Sequence, residues 1–273
     1  MLETFLDKIG EFIAGRLQKQ TSGYEPFTPS DPITLRRTLQ PGDVLLVEGN
    51  QKLSAAIKYL TQSTWSHAAI YVGDSGILDE KTGEPLTLIE AILGAGVVAT
   101  PLSKYATYNT RICRPVNLTV ADRKTIVDFC INRIGYKYDT KNILDLARYL
   151  LPTPPVPVRW RRRMLALGSG DPTREICSTL IAQAFQKVRY PILPLIRGED
   201  DTLRIRSYYS QRELLHIRHH SLFTPRDFDV SPFFDIVKPT IDNGFNYKEL
   251  LWGDADEVAT NNPAKTSDKN PKN

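Results

Sequence analysis

Apolar positions along the chain alternate between two rhythms, one of helices and one of strands. Leu2, Phe5, Leu6, Ile9, Phe12, Ile13 and Leu17 fall on one helical face and predict an amphipathic N-terminal helix. A Pro-punctuated connector follows over 21–42, with Pro26, Pro29, Pro32 and Pro41. Short apolar runs then predict strands at 44–47, 65–73, 86–92, 97–100 and 111–116, with a helix over 53–62 between the first two. Asp74 to Pro85 reads as a polar loop, and Gly94 and Gly96 break the chain before Val97. Helical spacing returns at 121–134, 142–151 and 176–188, with a Pro- and Arg-rich insert at 152–170. Residues 223–237 read as extended, broken by Pro225 and Pro232. From Asp254 the chain is polar, rich in Asn, Lys and Pro, and predicted disordered.

Strands and helices mix without β-α alternation, which predicts an α+β domain with a small antiparallel sheet packed against helices. The expected organisation is an N-terminal helix and connector over 1–38, one domain over 39–240 and a C-terminal extension over 241–273.

Composition narrows the function classes. A 41% hydrophobic share supplies a core without disulfide staples. No window approaches the roughly 20 apolar residues of a membrane-spanning helix. A net charge of +4 is a weak case for a nucleic-acid partner, and none is expected. Cys113, Cys130 and Cys177 form no CxxC spacing. A disulfide framework or structural zinc site is therefore not expected, and no cofactor is implied. The first 20 residues lack a basic segment followed by an unbroken apolar one, so the expected location is the cytoplasm.

Three residues carry candidate chemistry. Cys177 opens the apolar run Cys177-Ser178-Thr179-Leu180-Ile181 just after the turn Gly170-Asp171-Pro172-Thr173, near the start of a helix. The helix dipole there favours a thiolate, and free N–H groups can hold an oxyanion. His67 begins an otherwise apolar strand and is isolated from His216, His219 and His220. A thiolate nucleophile needs such an imidazole within reach. Glu90 interrupts the apolar run Leu86 to Ile92. If 66–72 and 86–92 form an antiparallel hairpin about a loop centred near 79, Glu90 lies opposite the start of the first strand, where it could orient the ring. Asp43 and Asp74 are weaker competitors for that role. The three clustered histidines, with Arg218 among them, read as a basic surface segment rather than a metal site.

These pieces resemble a known family. Gly42-Asp43-Val44, the run Trp65-Ser66-His67-Ala68-Ala69-Ile70-Tyr71-Val72-Gly73, Ile89-Glu90-Ala91, Gly135-Tyr136-Lys137-Tyr138-Asp139, Cys177-Ser178-Thr179 and Thr224-Pro225-Arg226-Asp227-Phe228 are together similar to the permuted branch of NlpC-type papain-like cysteine hydrolases. The YiiX/YebB-like sub-branch is the nearest, and lecithin–retinol acyltransferase-like proteins share its histidine-first order. The resemblance covers roughly positions 40 to 237. It implies a circularly permuted papain-like fold, Cys177 as nucleophile, His67 as general base and acid, and Glu90 as orienting residue. Trp65, Ser66 and Tyr138 are expected on the substrate side. Many relatives carry an aromatic before the cysteine and Ser-Glu after it, where this chain has Ile176 and Ser178-Thr179.

The function implied is hydrolysis of an amide or ester through an acyl-enzyme thioester, on a peptide-like or acyl-lipid substrate. Lipid acyl transfer or lipid hydrolysis on the same residues is one alternative, and a catalytically idle binding module is another. Arg159-Trp160-Arg161-Arg162-Arg163 and the N-terminal helix are the two places, 152–168 and 1–20, where contact with a membrane surface would be made.

Overall fold

A computed structural model describes residues 31–136, 177–193, 195–197, 214–216, 220, 223–244, 246 and 248. The N-terminal helix, the helix at 142–151, the insert at 152–170, Tyr138, His219 and the tail from 254 lie outside these described residues.

The described elements run in chain order as α1 (Pro32–Thr38), β1 (Val44–Val47), α2 (Lys52–Thr61), β2 (His67–Tyr71), β3 (Leu88–Ile92), β4 (Gly96–Thr100), a 3-10 helix (Leu102–Tyr105), β5 (Thr110–Pro115) and α3 (Val120–Ile131). After these come α4 (Cys177–Lys187), β6 (Leu195–Arg197), β7 (Leu214–His216), α5 (Pro225–Asp229), β8 (Phe234–Val237) and α6 (Pro239–Asp242). Six strands form one antiparallel sheet in the order β4-β3-β2-β1-β5-β8, and β6 pairs with β7 separately. The architecture is mixed α+β, as the strand and helix rhythms predict.

Alternation divides the sheet between two cores. Val44, Leu46, Ala68, Ile70, Ile89, Ala91 and Cys113 face a layer that includes Ile126 and Cys130 of α3 and Leu180, Ile181, Ala184 and Phe185 of α4. Leu45, Ala69, Tyr71, Leu88 and Ile112 face the other side, where Leu35, Leu39, Leu102 and Tyr105 cover them. Small residues at Ala68, Ala182 and Ala184 let α4 lie close on β2 and β3, which is the contact that sets Cys177 against the sheet. Phe185, Tyr190, Phe228 and Phe234 stack edge-on or tilted at 5.3–5.6 Å between ring centres and tie α4 to α5 and β8.

The β4 edge is covered, and a buried ion pair fastens the part of the sheet next to β8. Val97 donates to the Tyr136 carbonyl and accepts from Gly135 N–H, both at 2.9 Å, so the turn after α3 occupies the free edge of β4. At the far side, Arg114 of β5 grips the Asp43 carboxylate at 2.8–3.2 Å and donates to the Thr38 carbonyl at 2.6 Å, joining β5, the start of β1 and the end of α1.

Two segments differ from the sequence reading. The connector expected over 21–42 contains α1. Asp31 accepts from Thr34 N–H at 2.8 Å as an N-cap, and Pro32 occupies the first helical position, where its missing N–H costs nothing. The extended run expected over 223–237 contains α5. Here Pro225 starts a helix instead of breaking a strand, because Thr224 and Asp227 close a capping box around it. Only Phe234 to Val237 is strand.

Candidate active site

β2 and β3 pair as Ile70 with Ile89 and Tyr71 with Leu88. Continued by one residue, that register sets Glu90 across from Ala69 and makes His67 its diagonal neighbour on the same face. The side chains meet: His67 Nε2 lies 2.5 Å from Glu90 Oε2. β4 then returns beside β3, with Val98 opposite Glu90, and Thr100 ends the strand. Its hydroxyl donates to Glu90 Oε1 at 2.6 Å. The 3-10 helix follows directly and turns two more donors onto the same carboxylate. Lys104 Nζ lies 2.6 Å from Oε1, and Tyr105 OH lies 2.5 Å from Oε2.

Glu90 is 1% exposed, so an unpaired charge there would be prohibitive. Four donors answer it, two on each oxygen. Burial pushes its pKa up, but the His67 hydrogen bond and the charges of His67 and Lys104 outweigh burial and hold it well below the usual carboxylate range. The same burial and the same carboxylate push the Tyr105 hydroxyl well above its ordinary value, so it remains a donor.

Cys177 is the first described residue of α4, at the positive end of the helix dipole, and is 4% exposed. Burial raises its pKa. The His67 hydrogen bond and charge, together with the Ala68 and Ser178 backbone N–H groups, more than offset that and lower it. Burial works against the His67 imidazolium too, yet hydrogen bonds and opposite charge from Cys177 and Glu90 raise its pKa above the ordinary value. With Nε2 bound to Glu90, Nδ1 is the nitrogen left for the thiol. The other two cysteines behave oppositely. Both are fully buried, and desolvation pushes Cys113 far up and Cys130 to about 12. A cysteine–histidine–carboxylate row thus forms around Cys177 alone among the three cysteines, and it is the one whose thiol is pulled down.

A cavity of about 200 Å³ opens on this row. Its lining is apolar at Leu53 and Ile57 of α2, at Ile92, which ends β3, and at Leu93. It is polar at His67, Glu90, Lys104, Tyr105 and Tyr108, and Gly49, Ser54 and Ser66 also line it. Gly49 donates to Ser66 Oγ at 2.9 Å, and a β-carbon at Gly49 would lie 2.2 Å from Ser54 Oγ. A side chain at that position would therefore displace Ser54 or Ser66.

Of the residues expected on the substrate side, Ser66 lines the cavity and Tyr138 lies outside the described residues. Trp65 lines a different cavity from His67. It precedes the strand, where alternation no longer applies, and turns into a separate concavity of about 530 Å³ beside Lys58, Arg226 and Asp229. There its indole N–H donates to Asp229 at 3.1 Å, and Arg111 lies 4.9 Å above the ring while pairing with Asp229 at 2.6 Å. The competitors for the orienting role go elsewhere too: Asp43 binds Arg114, and Asp74 accepts from Gly76 N–H in an exposed turn. His216 lies in β7 opposite Leu195, on a strand rather than the helix a metal-ligand spacing would use.

Sequence reasoning passed over Thr100, Lys104 and Tyr105. The one signal for them is the buried charge itself, since a carboxylate inside an apolar strand requires donors from the segments that follow.

Comparison with known proteins adds a family. Residues 38–149 match the family model described as a permuted papain-like amidase enzyme, YaeF/YiiX, C92 family. The probable lipoprotein peptidase YaeF of Escherichia coli K12 is 24% identical over 198 residues, 66% of this chain. The matched stretch spans 64% of that relative's length. A crystal structure of the metalloprotein yiiX from Escherichia coli O157:H7 is 17% identical with a TM-score of 0.42, covering 73% of this chain and 96% of that one. The matched segment contains His67 and Glu90, and Cys177 lies beyond it. By this segment and this curated relative, the chain is thus similar to a permuted papain-like family whose members are described as amidases and peptidases.

Proposed function

We propose that this chain is a cysteine hydrolase of amide or ester bonds, acting through a thioester on Cys177, in the NlpC-type permuted class. The observation that carries the proposal is the Cys177–His67–Glu90 row. Of three buried cysteines, the one whose pKa is lowered stands at a helix start against an imidazole held by a carboxylate.

In this reading the Cys177 thiolate attacks the carbonyl carbon. Backbone N–H groups at the head of α4, that of Ser178 among them, hydrogen-bond the developing oxyanion in this scheme. The imidazolium gives its proton to the leaving group as the carbon–nitrogen or carbon–oxygen bond breaks, leaving an acyl-thioester. Neutral His67 then takes a proton from water, whose oxygen attacks the thioester, and returns it to the sulfur. Glu90 holds the ring throughout and stabilises its charged form. The family description favours an amide, and the YaeF description makes a peptide-like substrate the first to test.

No helix among the described residues is long and apolar enough to cross a membrane. The cytoplasmic location expected from the sequence stays part of this proposal, beside a membrane-surface location that the lipoprotein description of YaeF supports.

The test is the pH dependence of Cys177 alkylation by iodoacetamide, read by peptide mass spectrometry in the parent and in His67→Ala. A thiol held below its ordinary range labels quickly at pH 6, where a free thiol of pKa about 8.5 is well under 1% thiolate. We expect labelling at that pH to fall about 100-fold in His67→Ala. Ordinary, slow thiol behaviour in both proteins would rule out the activated pair and leave the binding-module reading.

A further inference from the structure

Lys104 is more than Glu90 needs. His67, Thr100 and Tyr105 already give the carboxylate three donors on both oxygens, and a neutral donor would serve as the fourth. An ammonium stands there instead. It has three N–H bonds, and the contact to Glu90 is its one hydrogen bond among the described residues. Its side chain is 36% exposed, whereas that of Glu90 is sealed, so the free donors are within reach of a ligand. It also lines the cavity that opens on Cys177. Apart from His67, no other cationic side chain lines that cavity among the described residues. The same cavity is lined by the apolar side chains of Leu53, Ile57, Ile92 and Leu93.

We infer that Lys104 is a specificity-determining residue that pairs with a carboxylate on the substrate. Resting on the cysteine-hydrolase reading above, this narrows the substrate class to amides or esters that carry a carboxylate near the scissile carbonyl. An apolar substituent on the same molecule lies against α2. A peptide or acylated amino acid with a free acid group has this shape, and a neutral lipid ester does not. Lys104 Nζ keeps its contact to Glu90 while a second N–H turns to the substrate oxygen, so the ion pair forms without uncovering the buried carboxylate.

Two alkylating reagents of nearly equal size test this without a known substrate. Iodoacetate carries a carboxylate and iodoacetamide carries a neutral amide. Rates of Cys177 labelling by each are measured in the parent, Lys104→Gln and Lys104→Arg, with glutathione as the reference thiol. The ratio of the iodoacetate rate to the iodoacetamide rate should exceed that of glutathione. It should drop about fivefold in Lys104→Gln, the upper range for a charge pair open to solvent, and return in Lys104→Arg. Using the ratio cancels any change in thiol activation that the substitution causes through Glu90. An unchanged ratio, with both reagents still fast at pH 6, would overturn the inference and leave the Cys–His pair standing; Lys104 would then be a counter-ion to Glu90 and no more. Slow labelling of the parent by both reagents would overturn the hydrolase reading and this inference with it.

Discussion

Asp43 and Glu90 are both 1% exposed, and the sheet treats them in opposite ways. Asp43 stands at the start of β1, held by the Arg114 guanidinium and by Gln40 N–H at 2.9 Å. Glu90 stands within β3, held by an imidazole, an ammonium and two hydroxyls. Desolvation outweighs Arg114 at Asp43 and raises its pKa, whereas the charges of His67 and Lys104 outweigh desolvation at Glu90 and lower it. The partner explains the use. Arginine does not release its proton in a protein, so the Asp43 pair can only fasten elements together. Histidine does exchange its proton, so the Glu90 pair sets the charge of a group that can move one.

The largest effect should come from the fastening pair. Asp43→Asn leaves Arg114 without its carboxylate beside a buried joint between β5, β1 and α1. Because burial already disfavours the Asp43 charge, the cost lies in the hydrogen bonds: the amide turns a donor toward Arg114 or Gln40, and leaving a buried partner unmet costs about 1–3 kcal/mol, so we expect about 2 kcal/mol by urea unfolding. Cys177 alkylation in that variant should match the parent. A change in thiol reactivity would mean that the two carboxylates are not separable and would end the comparison.

Glu90→Gln reverses the pattern. The amide keeps a hydrogen bond to the ring but removes the charge that favours imidazolium, and with it part of the pull on the thiolate. One pKa unit corresponds to a tenfold change at a fixed pH, so alkylation at pH 6 should fall about tenfold. Tyr105→Phe removes one neutral donor from the same carboxylate and should lower alkylation about twofold to threefold, since the three other donors remain.

How much of this was legible beforehand depends on where each signal lay. His67 and Glu90 stand out because each is a polar residue in a short strand that is otherwise apolar. The loop centred near 79 sets their hairpin register to within a residue or two. Cys177 stands out from its position after a turn and before an apolar helical run. Lys104 and Tyr105 were not legible, since Leu102-Ser103-Lys104-Tyr105 has the composition of any surface turn and only the return of β4 beside β3 brings it onto Glu90. The α5 misreading has another cause. Proline was weighed as a strand breaker, while Thr224, Pro225 and Asp227 already spelled a capped helix start. The surroundings of Trp65 were not legible for a third reason: adjacency to His67 in sequence says little about facing where the strand has not yet begun.

The smallest effect, and the sharpest on sign, is the acid limb of stability. Glu90 has a lowered folded pKa. Its contribution is therefore complete above the unfolded value of about 4.3 and is lost as pH falls toward the folded one. Asp43 has a raised folded pKa, so below neutral pH the folded state takes up a proton before the unfolded chain does. Stability linked to Asp43 therefore grows as pH falls toward about 3.9 and is lost as pH rises through the folded value. Urea unfolding of the parent, Asp43→Asn and Glu90→Gln between pH 6 and pH 3.5 separates the two. His67 stays protonated in the folded parent over that range and does not distort its limb. Relative to Glu90→Gln, the parent should lose stability as the solution becomes more acid. Relative to Asp43→Asn, it should gain. Each slope should amount to about 1 kcal/mol or less across the range, because other carboxylates titrate alike in all three proteins and cancel. Two slopes of the same sign would show that Arg114 controls Asp43 as His67 and Lys104 control Glu90, and that burial does not distinguish a fastening carboxylate from one that governs a proton.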